Sequence, residues 1–346
     1  MTLKLTLTFG LTLFALPAFA AGTAKVPSSY DLTLLVSDQP GIAQNQDPDL
    51  VNPWGVSHIA GGPDWVSDNG TDKSTLYNRS TGTKSGLIVN VVSAPTGTVA
   101  NSGGGFVISK GGKQGSSSFL FDTEAGAILG WNNSVDPNNA VVAVDNSAQG
   151  SVYKGLAIDP TSKQLYAADF AKNQVQIYNS AFGLVSTFTD TQLPRRFAPF
   201  NVTLLNGKLY VAFAKRERGG IDEVHGKGLG YVDVFDTSGN LLQRLVANGK
   251  LNAPWGMTIA PSGFGDFAGA LLVGNFGNGH INAYDASTGG SLGTLKGTDG
   301  KSISIDGLWA VDSGPNNNQV TFTAGPGDEQ HGLLGLISLS AAGAAH

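Results

Sequence analysis

The sequence predicts an all-β fold, a six-bladed β-propeller whose ring is closed by an N-terminal strand that completes the last blade. Three observations predict it. The 346 residues include 48 Gly and only 14% charged residues, and no long segment repeats its apolar positions at helical spacing; many short strands joined by tight turns fit that composition. One phrase, Pro-Trp-Gly followed by an apolar run, occurs as "NPWGVSHIA" from Asn52 and again as "NAPWGMTIA" from Asn252. Between and beyond these, similar apolar runs begin at Gly55, Gly105, Gly155, Asn201, Gly256 and Gly307, at intervals of 50, 50, 46, 55 and 51 residues. A period of this length with four apolar runs per copy is the signature of a propeller blade.

Each copy continues in the same way. The second runs are "DWVSD", "SFLFD", "QLYAAD", "KLYVAF", "ALLVGN" and "QVTFTA"; the third are "STLYN", "AILGW", "QVQIYN", "GYVDVFD", "HINAYD" and "GLLGLIS". The first five copies add a fourth, "GLIVNVV", "AVVAVD", "LVSTFTD", "LLQRLV" and "GSLGTL". The sixth copy lacks one, while "YDLTLLVSD" from Tyr30 stands unpaired ahead of copy one. Pairing the orphan with the incomplete copy removes the open edges that a linear array would expose. Gly heads most innermost runs because these strands crowd the axis, where only Gly permits close backbone approach.

The domain boundaries follow. Residues 1–20 read as a secretory signal peptide, one Lys and an apolar run followed by small residues, with cleavage near Ala20. Residues 21–340 form the single propeller domain and 341–346 a short disordered tail. The expected localisation is therefore exported, periplasmic or extracellular, with no membrane span in the mature chain. The absence of Cys excludes thiolate metal sites and Cys nucleophiles. A formal charge of -5 without a basic run argues against nucleic acid as a partner. A monomer is expected.

The phrases "NPWGV…WVSDNGTDKSTLYN", "KLYVAFAK", "LNAPWGMTIAPSGFGDFAGALLVGNFGNGHINAYD", "IDGLWAV" and "FTAGPGDEQHGLLG" resemble a family of uncharacterised secreted bacterial proteins, some of which carry a PEP-CTERM sorting tail. The resemblance runs over nearly the whole mature chain. This chain departs at its end, where "SLSAAGAAH" has no Pro-Glu-Pro, apolar span or basic terminus. More loosely, the blades resemble NHL-type six-bladed propellers. The resemblance implies the fold and brings no activity with it.

In a propeller, the loops leading into each first strand and those joining second to third strands emerge on one face, and function lives in such loops. The residues one position ahead of each aligned start, Trp54, Gly104, Lys154, Phe200, Trp255 and Asp306, are expected to ring the channel mouth. Of these, Trp54, Lys154, Trp255 and Asp306, with Asn52, Asp68, Asn69, Asp169, Asn201, Lys215 and Asn275, make the candidate ligand-binding set, for a small molecule, a glycan or a protein. Trp54, Trp255 and Phe200 either form an apolar platform for a ligand or cap the channel and pack between blades.

A divalent cation, Ca²⁺ or Zn²⁺, has three candidate ligand sets. His225, His280 and His331 fall in the second-to-third loops of consecutive copies, each near carboxylates or amides. Asn201, Asn252 and Asp306 stand near the heads of consecutive copies, as in six-bladed lactonases by analogy, where a metal would polarise a carbonyl and activate water. "SDNGTDKS" offers Asp68, Asn69 and Asp72 without the spacing of an EF-hand loop. The loop "AKRERGGIDEVHGKG" is the largest insertion on the face and reads as a lid or partner contact. No G-x-S-x-G, H-E-x-x-H or phosphate-loop motif is present. The functional expectation is an exported binding or interaction propeller using its loop-rich mouth, with a metal-dependent hydrolase or lyase as the alternative.

Overall fold

The computed structural model describes residue 1 and residues 27–341; the signal peptide and the end of the tail lie outside these. Six sheets surround one axis. Blade one comprises Pro53–Ser57, Asp64–Asp68, Lys73–Tyr77 and Lys84–Asn90 from the axis outward. Blade two comprises Pro95–Ala100, Phe119–Thr123, Ala127–Trp131 and Val141–Asp145, and blade three Tyr153–Asp159, Gln164–Asp169, Gln174–Tyr178 and Leu184–Phe188. Blade four is Phe197–Leu205, Lys208–Lys215, Gly230–Phe235 and Leu241–Ala247; blade five is Pro254–Ile259, Leu271–Asn275, Ile281–Tyr284 and Ser291–Thr294. Blade six takes Leu308–Ser313, Gln319–Ala324 and Leu333–Leu339 from the end of the chain and Tyr30–Ser37 from its beginning.

The closing strand runs antiparallel to the last one, with Leu32 opposite Ile337 and Val36 opposite Leu334. Asn45–Gln46 adds a short parallel pairing outside it. Polar contacts fasten the seam: Asp38 Oδ2 lies 2.9 Å from His331 Nδ1, Asp38 Oδ1 accepts from the Gly332 amide, Gln39 Nε2 lies 2.9 Å from His331 Nε2, and Ser29 O accepts from the Ser340 amide. The Tyr30 ring packs on Phe264, centroids 4.6 Å apart, and its hydroxyl donates to Phe264 O. The first strand therefore grips blade five as well as blade six.

The second copy corrects the sequence reading. "GFVIS" is not an inner strand. It lies in a two-stranded hairpin, Val107–Lys110 with Lys113–Ser116, inserted between the first and second strands of blade two. The true inner strand is Pro95–Ala100, and Gly97 takes the place assigned to Gly105.

Every inner strand carries one extra residue opposite the end of its second strand. Pairing jumps from Pro53 to Val56 against Asp68 to Val66, and the same shift recurs in the other five blades. Such bulges re-aim a side chain and end regular pairing. Just past the bulged side chain the backbones nearly touch. A Cβ on Gly55 would lie 2.7 Å from Thr96 O, one on Gly97 2.5 Å from Leu156 N, and one on Gly256 2.4 Å from Val311 N. Hydrophobic clusters fill the spaces between neighbouring blades, for example Trp65 and Leu76 with Phe121 and Trp131 between blades one and two. The cluster between blades six and one merges with the axial one. Gly256→Val is therefore expected to destabilise by about 1–3 kcal/mol or more through overpacking. Gly86→Ala, where a Cβ meets nothing within 4 Å, should stay within about 0.5 kcal/mol of the parent; urea denaturation midpoints measure both.

Blade four buries a carboxyl pair. Arg244 is ion-paired with Asp190, and its Nε lies 3.7 Å from Asp233 Oδ1. Burial, then the hydrogen bond and charge of Asp190, push Asp233 up to about 8, against the opposing pull of Arg244. Its folded value lies above the ordinary 3.8, so the native state holds a proton that the unfolded chain has lost. That contribution is complete below 3.8 and disappears as pH rises through about 8. Asp233→Asn is expected to flatten the decline in urea midpoint between about pH 5 and pH 8.

Candidate functional site

The bulges place one residue of each blade at the axis: Trp54, Thr96, Lys154, Phe200, Trp255 and Trp309. Four of the six agree with the sequence reading. Gly104 and Asp306 do not, because copy two was aligned on the inserted hairpin and copy six three residues early. All six are buried. Trp54 stacks on Trp309 at 3.5 Å, Trp255 meets both edge-on at 6.0 and 5.8 Å, and Phe276 stacks on Trp309 at 4.0 Å. The aromatic residues therefore plug the channel and do not present an open platform. Trp255 Nε1 donates to Lys154 O and Trp309 Nε1 to Asn52 Oδ1, which ties the plug to blade three and to the entry of blade one.

Lys154 is the one cation in the plug, and its side chain is 2% exposed. Its Nζ lies over the rings of Trp54, Phe170 and Phe200 at 5.3, 5.5 and 5.7 Å. It reaches Glu124 Oε1 at 3.2 Å, Asp222 Oδ1 at 3.6 Å and Glu223 Oε2 at 3.7 Å. Burial alone would lower its pKa, but these carboxylates outweigh burial and hold it above the ordinary lysine value.

A chain of hydrogen bonds extends the network over the loop-rich face. Asn52, held at φ 46°, donates from Nδ2 to Asn69 Oδ1 at 3.2 Å and to Glu329 Oε2 at 2.6 Å. Asn69 Nδ2 donates to Glu124 Oε2 at 3.1 Å. Beside this lies a pocket of about 330 Å³ lined by Glu223, His225, Phe276, Asn278, Ser304, Asp306, Asp328 and Glu329, together with glycines. His225 packs edge-on against Phe276 at 5.1 Å, and its Nε2 lies 3.4 Å from Glu223 Oε1. The Glu223 contact raises the His225 pKa despite burial. Burial pushes Glu223 up, but His225 and Lys154 together hold it below the ordinary carboxylate range. Glu329 is raised, by burial first, with Asn52 opposing.

The other expected site residues have structural work. Asp68 is buried and accepts from Thr75 Oγ1. Asp169 accepts from the Val152 and Lys172 amides and from Gln176 Nε2. Asn275 accepts from the Asn252 amide and donates to Lys250 O. Asn201 donates to Trp255 O and accepts from its neighbour's amide. Lys215 is half-buried at the end of its strand and does not line the pocket.

The metal sets do not converge, and no three His, Asp or Glu side chains among the described residues gather as a metal site would require. His331 is bound to Asp38 and Gln39 in the seam, while His280 faces Asn278. Asn252 Oδ1 accepts from the Gly226 amide and Asp306 Oδ2 from the Gly327 amide. Asp72 accepts from the Ala94 amide, away from Asp68. The residues present do not fit a divalent cation.

Sequence reasoning missed Glu124, Thr96, Trp309 and Phe276 at the axis. One signal was available: "NPWG", "APTG", "APFN" and "APWG" repeat a small residue, Pro, the axial residue and a Gly or Asn at positions 52, 94, 198 and 253. Asn52, Ala94 and Ala253 all have positive φ, an unusual state ahead of Pro. The insertion "AKRERGGIDEVHGKG" is the element that delivers Glu223 and His225, anchored by Arg216 Nη1 on Ala171 O.

These features define a closed six-bladed β-propeller with a plugged axis and a carboxylate-rich mouth. The same architecture appears in virginiamycin B lyase from Staphylococcus aureus, whose structure matches 90% of this chain and 100% of that one at a TM-score of 0.52 and 10% sequence identity; the likeness is one of fold. The chain belongs to the family of the Acanthamoeba polyphaga mimivirus proteins R648 and L690, both described as uncharacterised. It is 31% identical to R648 over 331 residues, 91% of this chain and 82% of that protein, and 32% identical to L690 over 336 residues, 91% and 87% of the two. No family model matches the chain.

Lys154→Met is expected to destabilise by about 3–5 kcal/mol near neutral pH, because it leaves the buried Glu223 and the half-buried Glu124 without their cation. The contribution of this cluster to the pH response should change sign, read as the difference between variant and parent because the Asp233 decline is common to both. The parent's depressed Glu223 contributes stability above the ordinary 4.5, lost as pH falls through its lower folded value. The variant should gain stability on acidification, when those carboxylates protonate. Urea midpoints across pH 4–8, on the order of one titration range, measure it.

Proposed function

We propose that the protein is a non-enzymatic binding propeller that takes a polycationic ligand at its loop-rich mouth. The observation that carries this is the composition of the upper pocket. Glu223, Asp306, Asp328 and Glu329 line about 330 Å³ of space with the Phe276 ring and no Lys or Arg among them. The nearest cation, Lys154, lies beneath in the plug and is already neutralised by Glu124, Asp222 and Glu223. With Glu223 shared between Lys154 and His225, the acidic groups left for a ligand beside the aromatic face are Asp306, Asp328 and Glu329, which favours amines over anions or neutral sugars. Its volume falls in the range of small-molecule sites, roughly 300–1,000 Å³. The raised Glu329 gives the binding a signature: an arriving cation favours its ionised form, so acidification that protonates Glu329 weakens binding.

The expected partner is a small polyamine or a basic peptide side chain, bound by a monomer. The proposal includes export with cleavage near Ala20, read from residues 1–20; among the described residues no helix is long and apolar enough to cross a membrane. N-terminal sequencing of the protein made in a secreting host should begin at Ala21.

Spermidine titrated calorimetrically into the full chain should bind at one saturable site. Its affinity should fall as salt rises, and fall again on acidification that protonates Glu329. The Glu223→Gln, Asp306→Asn double variant should weaken it by at least about tenfold. Binding that ignores salt and survives the double variant, or no binding at all, contradicts the proposal.

A further inference from the structure

The aromatic plug divides the channel in two, and the lower half is a separate cavity of about 360 Å³. All six inner strands contribute to it, from just below the axial residues down to His58 and Asp312 at the opposite mouth. The inner edges of these strands have no sheet neighbour. Apolar side chains, including Val56, Leu156, Val202, Met257 and Val311, line the wall.

The mouth is built from a fixed network. Arg79 donates from Nε to Asp64 Oδ1 at 2.9 Å and from Nη2 to Ser313 O at 2.6 Å, and so joins blade one to blade six. Asp64, 2% exposed, lies 3.6 Å from His58 Nδ1, and Asp312 Oδ2 lies 4.0 Å from the same atom. Burial first and Arg79 second hold His58 down at about 4, so it is neutral at physiological pH. Arg79 is bound to Asp64. Burial raises the Asp312 carboxyl above its ordinary value, and the charge of Arg79 opposes this by favouring the ionised form. Among the described residues His58 is the only basic side chain within 4.0 Å of Asp312. The result is a chamber whose wall mixes these apolar side chains with Ser57, Thr98 and Thr203, with Asp312 and the His58 imidazole at its rim.

We infer that this lower chamber is a second binding site, independent of the upper pocket, for a compact hydrocarbon bearing a single primary ammonium group. The hydrocarbon would pack on the apolar side chains of the wall, and the ammonium would donate to Asp312 and His58 at the mouth. Asp312 gives the site its charge, and Arg79 and Asp64 act as positioning residues through His58. The upper pocket selects several charges on a polar ligand; the lower one selects a single charge on an apolar body.

The test is a calorimetric titration of the full chain with cyclohexylammonium chloride. One saturable site is expected. Asp312→Asn should weaken it by at least about tenfold by removing a charge-assisted contact. Thr203→Phe, which fills the chamber from a half-buried wall position, should abolish it. Glu223→Gln should leave it unchanged. The inference is overturned if cyclohexylammonium does not saturate, if folded Thr203→Phe binds as the parent does, or if Glu223→Gln removes the binding and so places it in the upper pocket. Because spermidine is read separately at the upper pocket, failure of one site is distinguishable from failure of the other.

Discussion

Six inner strands must meet at one axis, and their crowding there governs the rest of the molecule. Backbone approaches backbone so closely that a methyl group at Gly55, Gly97 or Gly256 would lie within 2.7 Å of a neighbouring main-chain atom. The chain meets the constraint in each blade with the same device. A bulge turns one side chain to the axis, and in four blades a glycine follows it. Blade six uses Ala310 in that place, and blade four Asn201, whose amide bonds the Trp255 carbonyl of blade five. The side chains turned inward are mostly aromatic, so the channel becomes a plug rather than a pore.

A charge set into that plug determines the chemistry above it. Lys154 is almost fully removed from water, and a buried ammonium persists only with partners. Glu124, Asp222 and Glu223 supply them, and Asn52 and Asn69 relay the network to Trp309 and Glu329. The carboxylates that line the upper pocket thus include one, Glu223, that also stabilises the fold. Among the described residues no Lys or Arg lines the chamber below the plug, and its rim is set instead by the Arg79, Asp64 and His58 network.

The period, the blade count and the closing strand were all legible in the sequence, because each depends on apolar runs whose order is preserved along the chain. The pairing of Leu32 with Ile337 is the direct result of a fourth strand missing from copy six. The site was legible only in part. Lys154, Trp54 and Trp255 stood at the right positions. Copy two misled because an inserted hairpin carries "GFVIS" at the expected spacing, which hid Thr96; Glu124 was missed although the runs on either side of its turn, "SFLFD" and "AILGW", were placed correctly. Copy six misled because Gly307 looks like the axial glycine although Ala310 occupies that place. Asp68, Asp169 and Asn275 looked like site residues because they are polar and end second strands; the structure employs them within the fold. Contacts between the first and last blades, such as Asn52 to Glu329, join residues 277 apart in sequence, and no local pattern encodes them.

A crystal structure at neutral pH, refined with its ordered water, tests the central claim most directly. The account predicts continuous aromatic density from Trp54 to Trp309 across the axis, with the Lys154 ammonium beneath the loops against Glu124 and Glu223, and no water passing between the two chambers. A continuous column of water along the axis, or a Lys154 side chain turned outward into solvent, would contradict it.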